Sequence, residues 1–149
     1  MSENTETQDS LDRIRLILTI MIAIIALVGL ADATYLTVAH LAGDDSVCGK
    51  SAPCSVVLGS RYSAIAGIPT AAFGTIAYFS VFSAATLAGF GYVRARIFLI
   101  AIVALMFAGT LWLLYLQAFV LHAFCPFCLL SAAVTFCLAG LVVASPAPR

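Results

Sequence analysis

Four long apolar runs leave this chain little choice of fold. They extend from about Leu16 to about Leu41, Pro69 to Phe90, Ile97 to Leu121 and Pro126 to Ala144. A helix rises ~1.5 Å per residue, so each run is roughly long enough for the ~30 Å hydrocarbon core of a bilayer. Of the 149 residues, 63% are hydrophobic and 9% charged, where a soluble domain carries about a quarter charged. The expected fold is an all-α membrane protein, a four-transmembrane-helix bundle with antiparallel neighbours. Its one long connection, residues 43–67, forms an outer loop between helices 1 and 2. The first run is far longer than the apolar core of a secretory signal and lacks a clear small-residue cleavage site, so it reads as a retained span. A net charge of zero and the lack of a basic patch argue against nucleic acid as a partner.

Residues 1–13 are polar and acidic without apolar periodicity and read as a disordered cytoplasmic tail. Residues 14–144 form the membrane domain, and 145–149 a second short tail. Orientation follows from basic residues near the span ends. Arg13, Arg15, Arg94, Arg96 and Arg149 fall on one side, Lys50 and Arg61 on the other. This places both termini in the cytoplasm. The long loop and the turn around Cys125 then share the outer face, where disulfides are made and kept. Within the loop, Ser55 to Tyr62 is mildly amphipathic and suits a short interfacial helix.

The five cysteines divide into two pairs and a remainder. Cys125-Pro126-Phe127-Cys128 opens the last span. Cys125, just before a proline, belongs at the helix N-terminus, and Cys128 in the first turn. Unsatisfied N–H groups and the helix dipole favour a thiolate there, the attacking species in thiol–disulfide exchange. Cys48 and Cys54 enclose five residues of the outer loop. They form either a second exchanging pair or a static loop staple. Cys137, inside the last span, reads as a small apolar residue.

Most of the other candidate residues allow more than one reading. Ser60 either hydrogen-bonds a ligand or sulfur, or solvates its own segment. Asp32, the one acidic residue inside a span, makes a buried structural hydrogen bond, orients Tyr35 or a loop group, or serves a proton path. His40 and His122 read as interfacial, with a proton-shuttle role as the alternative for His122. Phe73, Tyr78, Trp112 and Tyr115 either line an apolar pocket or pack and face lipid.

Four features occur in order: Gly29 to His40, with Asp32 and Tyr35, ending span one; Cys48 and Cys54; Cys54 to Tyr62, with Ser60, running into Gly67-Ile68-Pro69; and Cys125-Pro126-Phe127-Cys128. Together they resemble the bacterial vitamin K epoxide reductase homologues, over roughly Arg15 to Ala144. The resemblance implies a bundle holding a quinone, ubiquinone or menaquinone, at its centre. It implies that Cys128 reacts with the quinone, Cys125 exchanges with Cys54, and Cys48 meets the client. It also implies that Ser60 lies near the quinone; Phe73, Trp112 and Tyr115 are the further candidates for lining it. Some bacterial members carry a fused thioredoxin-like domain. This sequence ends at Arg149 without one, so the expected client is a separate DsbA-like or thioredoxin-like protein. Animal enzymes carry a tyrosine one turn after the second cysteine of the motif, where this sequence has Ala132. The implied role is therefore bacterial disulfide formation at the cytoplasmic membrane. A small metal transporter using the cysteine pairs as soft ligands is the alternative, and would bind a soft metal without quinone dependence. A structural membrane subunit is a third reading, and would work without Cys125 and Cys128.

Overall fold

The computed structural model describes residues 2–42, 56, 57, 59–65 and 67–145, with side chains from residue 6 onward. Helix α1 spans Ser2–Ala42. A two-stranded antiparallel ribbon follows, β1 (Ala64–Ile65) and β2 (Ile68–Pro69), with Ala64 opposite Pro69. Helix α2 is Thr70–Gly89, α3 is Val93–Tyr115 and α4 is Pro126–Ala144. Leu116–Val120 continues α3 as one π-helical turn. Four helices among the described residues are long and apolar enough to cross a membrane, as the apolar runs require.

The bundle closes in a ring. Helix α1 packs on α2, α2 on α3, α3 on α4, and α4 back on α1, with the α1–α2 seam the most extensive. Its core draws Ile22, Ala26 and Ala33 from α1, Tyr78, Val81 and Ala85 from α2, Leu99 and Val103 from α3, and Val134, Leu138 and Val142 from α4. Small residues on α1 let α2 approach. Gly29 makes room for the Tyr78 ring, and Ala33 lies against Gly74, the close packing by which helices associate in lipid. Outward the helices stay apolar: Ile17, Ile24, Ile97 and Val143 are all exposed. A helix that is hydrophobic all round needs lipid or protein on every side.

Three local features depart from the expectations. Residues 2–13, expected to be disordered, continue α1 as helix, where Ser10 Oγ bonds the Glu6 carbonyl (3.0 Å) and Asp12 pairs with Arg15 at 3.5 Å. At 41 residues, α1 is ~60 Å long, twice the hydrocarbon core. Second, Val56 and Val57 are helical, but the chain turns at 59–63 and enters the ribbon instead of extending a helix to Tyr62. Thr70 explains the turn: its N–H and Oγ1 both bond the Ser63 carbonyl, at 2.7 and 2.9 Å, fastening the segment to the start of α2. Third, Pro69 stands just before the first turn of α2, one position earlier than expected. The α2–α3 reversal passes through Gly91 at φ +90°, a conformation costly for any residue with a Cβ.

The two ends of the bundle differ in chemistry. At one, Arg15, Arg96, Asp12 and Tyr92 border a crevice of about 390 Å³, and Arg96 donates to the Ser145 carbonyl at 2.6 Å. At the other lie the ribbon, Ser60, Cys125 and the first turn of α4.

Candidate thiol site and its cavity

Cys125 has extended backbone and caps α4; Pro126 is the first helical residue, where its missing N–H costs nothing. Cys128 therefore falls in the first turn, as the Cys-Pro-Phe-Cys spacing requires. Cys125 is fully buried, closed in by Val57 and Phe127. The ring of Phe127 meets Tyr35 at 6.0 Å. Cys128 is only partly covered and lines a cavity of about 500 Å³ with Asp32, Ser60, Phe73, Tyr78 and Gln117.

Hydrogen bonding from the Cys128 thiol is the largest influence on Cys125, holding it down to about 6 from an ordinary 9.0. Burial opposes the shift. The backbone N–H groups of Cys128 and Phe127 reinforce it, and the charge of Asp32 weakly opposes it. An unmodified helix start favours anions for the same reason. In the reduced protein, ultraviolet thiolate absorbance is expected to rise through a midpoint near pH 6 and to lose that step in Cys125→Ser. A first rise only near pH 9 would contradict the geometry.

Gln117 completes this arrangement, although the sequence motifs give no sign of it. It is 3% exposed, and its Oε1 accepts the Cys125 N–H at 3.1 Å. The π turn makes this possible: Leu121 N–H reaches back five residues to the Leu116 carbonyl (2.8 Å), and Ala123 N–H bonds the Gln117 carbonyl (3.1 Å). A π turn of this kind is uncommon and concentrates at functional sites. His122, at φ 51°, then lets the chain reverse toward Cys125. Gln117→Leu leaves the buried Cys125 N–H unmet, a cost of about 1–3 kcal/mol. It is expected to lower the melting temperature in detergent, and an unchanged melt would show that the bond carries no stability.

Tyr78 lines the cavity with polar partners of its own. Its hydroxyl lies 3.0 Å from the Ser131 carbonyl, 2.8 Å from Ser131 Oγ and 3.1 Å from Thr135 Oγ1. Ser60 lines the cavity and donates to the Val57 carbonyl at 2.8 Å, so its proton serves its own turn. Phe73 lines the cavity. Trp112 and Tyr115, the other two lining candidates, do not. They are 62% and 51% exposed and stack on each other at 6.0 Å, with Phe119 beyond at 5.2 Å from Tyr115. These three rings form a strip on the outer surface of α3. Cys137 is likewise exposed on α4, as a lipid-facing small residue would be. Cys48, Cys54, Lys50 and Arg149 lie outside the described residues.

The family model described as Vitamin K epoxide reductase family matches residues 20–143. That stretch holds all four crossing segments, the thiol pair and the cavity. Membrane thiol–disulfide oxidoreductase activity is what the family suggests, with quinone as its redox partner in general. A bundle of four apolar helices with a Cys-x-x-Cys pair opening the last one, matched over most of its length, belongs to the vitamin K epoxide reductase family.

Proposed function

We propose that this chain is a thiol:quinone oxidoreductase of the bacterial cytoplasmic membrane. It makes disulfides for a thioredoxin-fold partner on the outer face and passes the electrons to ubiquinone or menaquinone. Both termini, including residues 1–13 and 145–149, lie on the cytoplasmic side. Residues 14–144 carry the activity.

The observation behind this reading is that Cys128 lines a cavity of about 500 Å³, a volume within the ~300–1,000 Å³ of small-molecule sites. The lining is mostly apolar, with Asp32, Ser60, Gln117 and Ser131 among its polar groups, which suits an apolar ring bearing carbonyl oxygens. Bound there, a quinone accepts two electrons and two protons. Phe73 and Ser60 would hold it, while Trp112 and Tyr115 act at the lipid surface.

Cys125 sits under the loop instead. Val57 packs against it, and Cys54 precedes Val57 by three residues. That sequence spacing supports Cys54 as the exchange partner of Cys125. A relay then connects the two pairs. A client thiolate attacks the Cys48–Cys54 disulfide at Cys48, releasing Cys54 as thiolate, and the second client thiol then displaces Cys48. The Cys54 thiolate attacks the sulfur of Cys125, breaking the Cys125–Cys128 bond and freeing Cys128 beside the cavity. Cys48 then closes on Cys54, leaving Cys125 and Cys128 reduced. Their reoxidation delivers two electrons to the quinone.

The test follows quinone absorbance with the full chain in detergent. The donor is either a reduced thioredoxin-fold protein or a small dithiol. Wild type is expected to reduce quinone with both. Cys48→Ala is expected to lose the protein donor yet keep the small dithiol. Protein oxidation that survives Cys48→Ala would reverse the relay order. No turnover of either quinone by a folded preparation would sink the reading as a whole.

A further inference from the structure

We propose that Asp32 is the proton carrier between the Cys128 thiol and a quinone oxygen in the cavity, an inference that rests on the thiol:quinone reading above.

Asp32 is the one acidic residue in any of the four apolar runs. Its Oδ2 is buried and has no hydrogen-bond partner among the described residues. A carboxylate oxygen left unmet inside a membrane bundle is costly, and such residues mark ion, proton or ligand paths. The side chain does not orient Tyr35, which is 53% exposed and turned to Phe127. Asp32 instead lines the same cavity as Cys128, and its charge reaches both Cys125 and Cys128.

The other titratable groups lining that cavity are less well placed. The Tyr78 hydroxyl is engaged by Ser131 and Thr135. His40 stands eight residues beyond Asp32 on α1, ~12 Å farther along the helix axis. Tyr62 is on the exposed turn.

The chemistry balances. In forming the Cys125–Cys128 disulfide, the two thiols give up two protons and two electrons, and quinone leaves as quinol. The Cys125 proton exchanges with water when its thiolate forms, and an equal proton returns from water. The Cys128 proton moves to Asp32 as the S–S bond forms, and from Asp32 to the quinone oxygen. Asp32 ends the cycle as a carboxylate again.

The experiment compares wild type, Asp32→Asn and Asp32→Glu as full-length reduced protein in detergent. A single turnover of added ubiquinone analogue is followed by absorbance. Asp32→Asn is expected to slow quinol formation by about 10²-fold, the lower range for a general acid–base group, and to abolish the solvent deuterium isotope effect. Asp32→Glu is expected to recover most of the rate. A second readout needs no quinone: reduction of the Cys125–Cys128 disulfide by a small dithiol stays within about threefold of wild type, since that step bypasses the carboxyl's proton transfer. In the same quinone-free protein, the thiolate midpoint of Cys125 falls in Asp32→Asn, because a nearby negative charge has been removed.

Full-rate quinol formation by Asp32→Asn overturns the proposal. So does an unmoved Cys125 midpoint, which would place the carboxylate too far from the thiols. Equal slowing of the dithiol and quinone steps, or an Asp32→Glu as slow as Asn, assigns Asp32 to structure and overturns it too. Failure of wild type itself to form quinol removes the thiol:quinone reading, and this proposal with it.

Discussion

Cys128→Ala is expected to bring quinol formation down to the uncatalysed background, whichever dithiol is supplied. Cys128 is the cysteine of the pair that meets the cavity, while Cys125 is fully buried under Val57 and Phe127. Without the second sulfur no intrahelical disulfide closes, so the two-electron step has no product on the protein side. The same variant carries an internal control. The Cys128 thiol is the largest influence holding Cys125 near 6, so the thiolate midpoint should climb toward 9.0 while the bundle still melts cooperatively. Quinone absorbance and the thiolate titration read these two effects on one sample. Wild-type quinol formation by the variant would move the exit for electrons elsewhere on the chain.

Gly29→Ala is expected to be the most damaging single change away from the thiols. A Cβ at Gly29 would lie 2.6 Å from Tyr78 Cζ and 2.7 Å from Cδ1, well inside contact distance. The ring has little room to yield, because its hydroxyl is held against Ser131 and Thr135 on α4. The clash therefore pushes α1, α2 and α4 apart together. The expected cost is at the upper end of the ~1–3 kcal/mol typical of overpacking, or beyond it. A double-mutant cycle checks the cause: melting in detergent for Gly29→Ala, Tyr78→Ala and both together. The loss from Gly29→Ala should largely vanish once Tyr78 is truncated, as contacting pairs are non-additive. The same loss in both backgrounds would show that Tyr78 is not what Gly29 accommodates.

The crossing segments were legible because punctuation bounded them. Pro126 opens α4 and Ser145-Pro146 comes after its end, and the helix observed is Pro126–Ala144. The Cys125–Cys128 geometry was legible for the same reason, since a proline at the first helical position fixes both thiols relative to the helix start. The direction in which each helix faces was not. A helix apolar on every side has no polar stripe to tell cavity from lipid, so Phe73 lines the cavity while Trp112 and Tyr115 turn outward. Gln117 was hidden for a different reason. A lone glutamine within an apolar run gives no sign of its partner when that partner is a backbone N–H eight residues ahead. The helix through residues 2–13 and the ribbon at Ala64–Pro69 were equally silent, the first because its side chains carry no apolar period, the second because each strand is two residues long.

The wide turn at Leu116–Val120 makes the third crossing helix a matter of phase as well as length. Each residue of a regular helix advances ~100° around its axis, and a π turn inserts one residue without adding a turn. Were the same residues wound as a regular helix, the span would still be ample. The chain beyond that point would be rotated by about a quarter turn, carrying the Cys125 strand out of line with Gln117. A chain of this kind can thus cross the bilayer equally well with or without the wide turn. Only with it do the third helix and the thiol pair keep time.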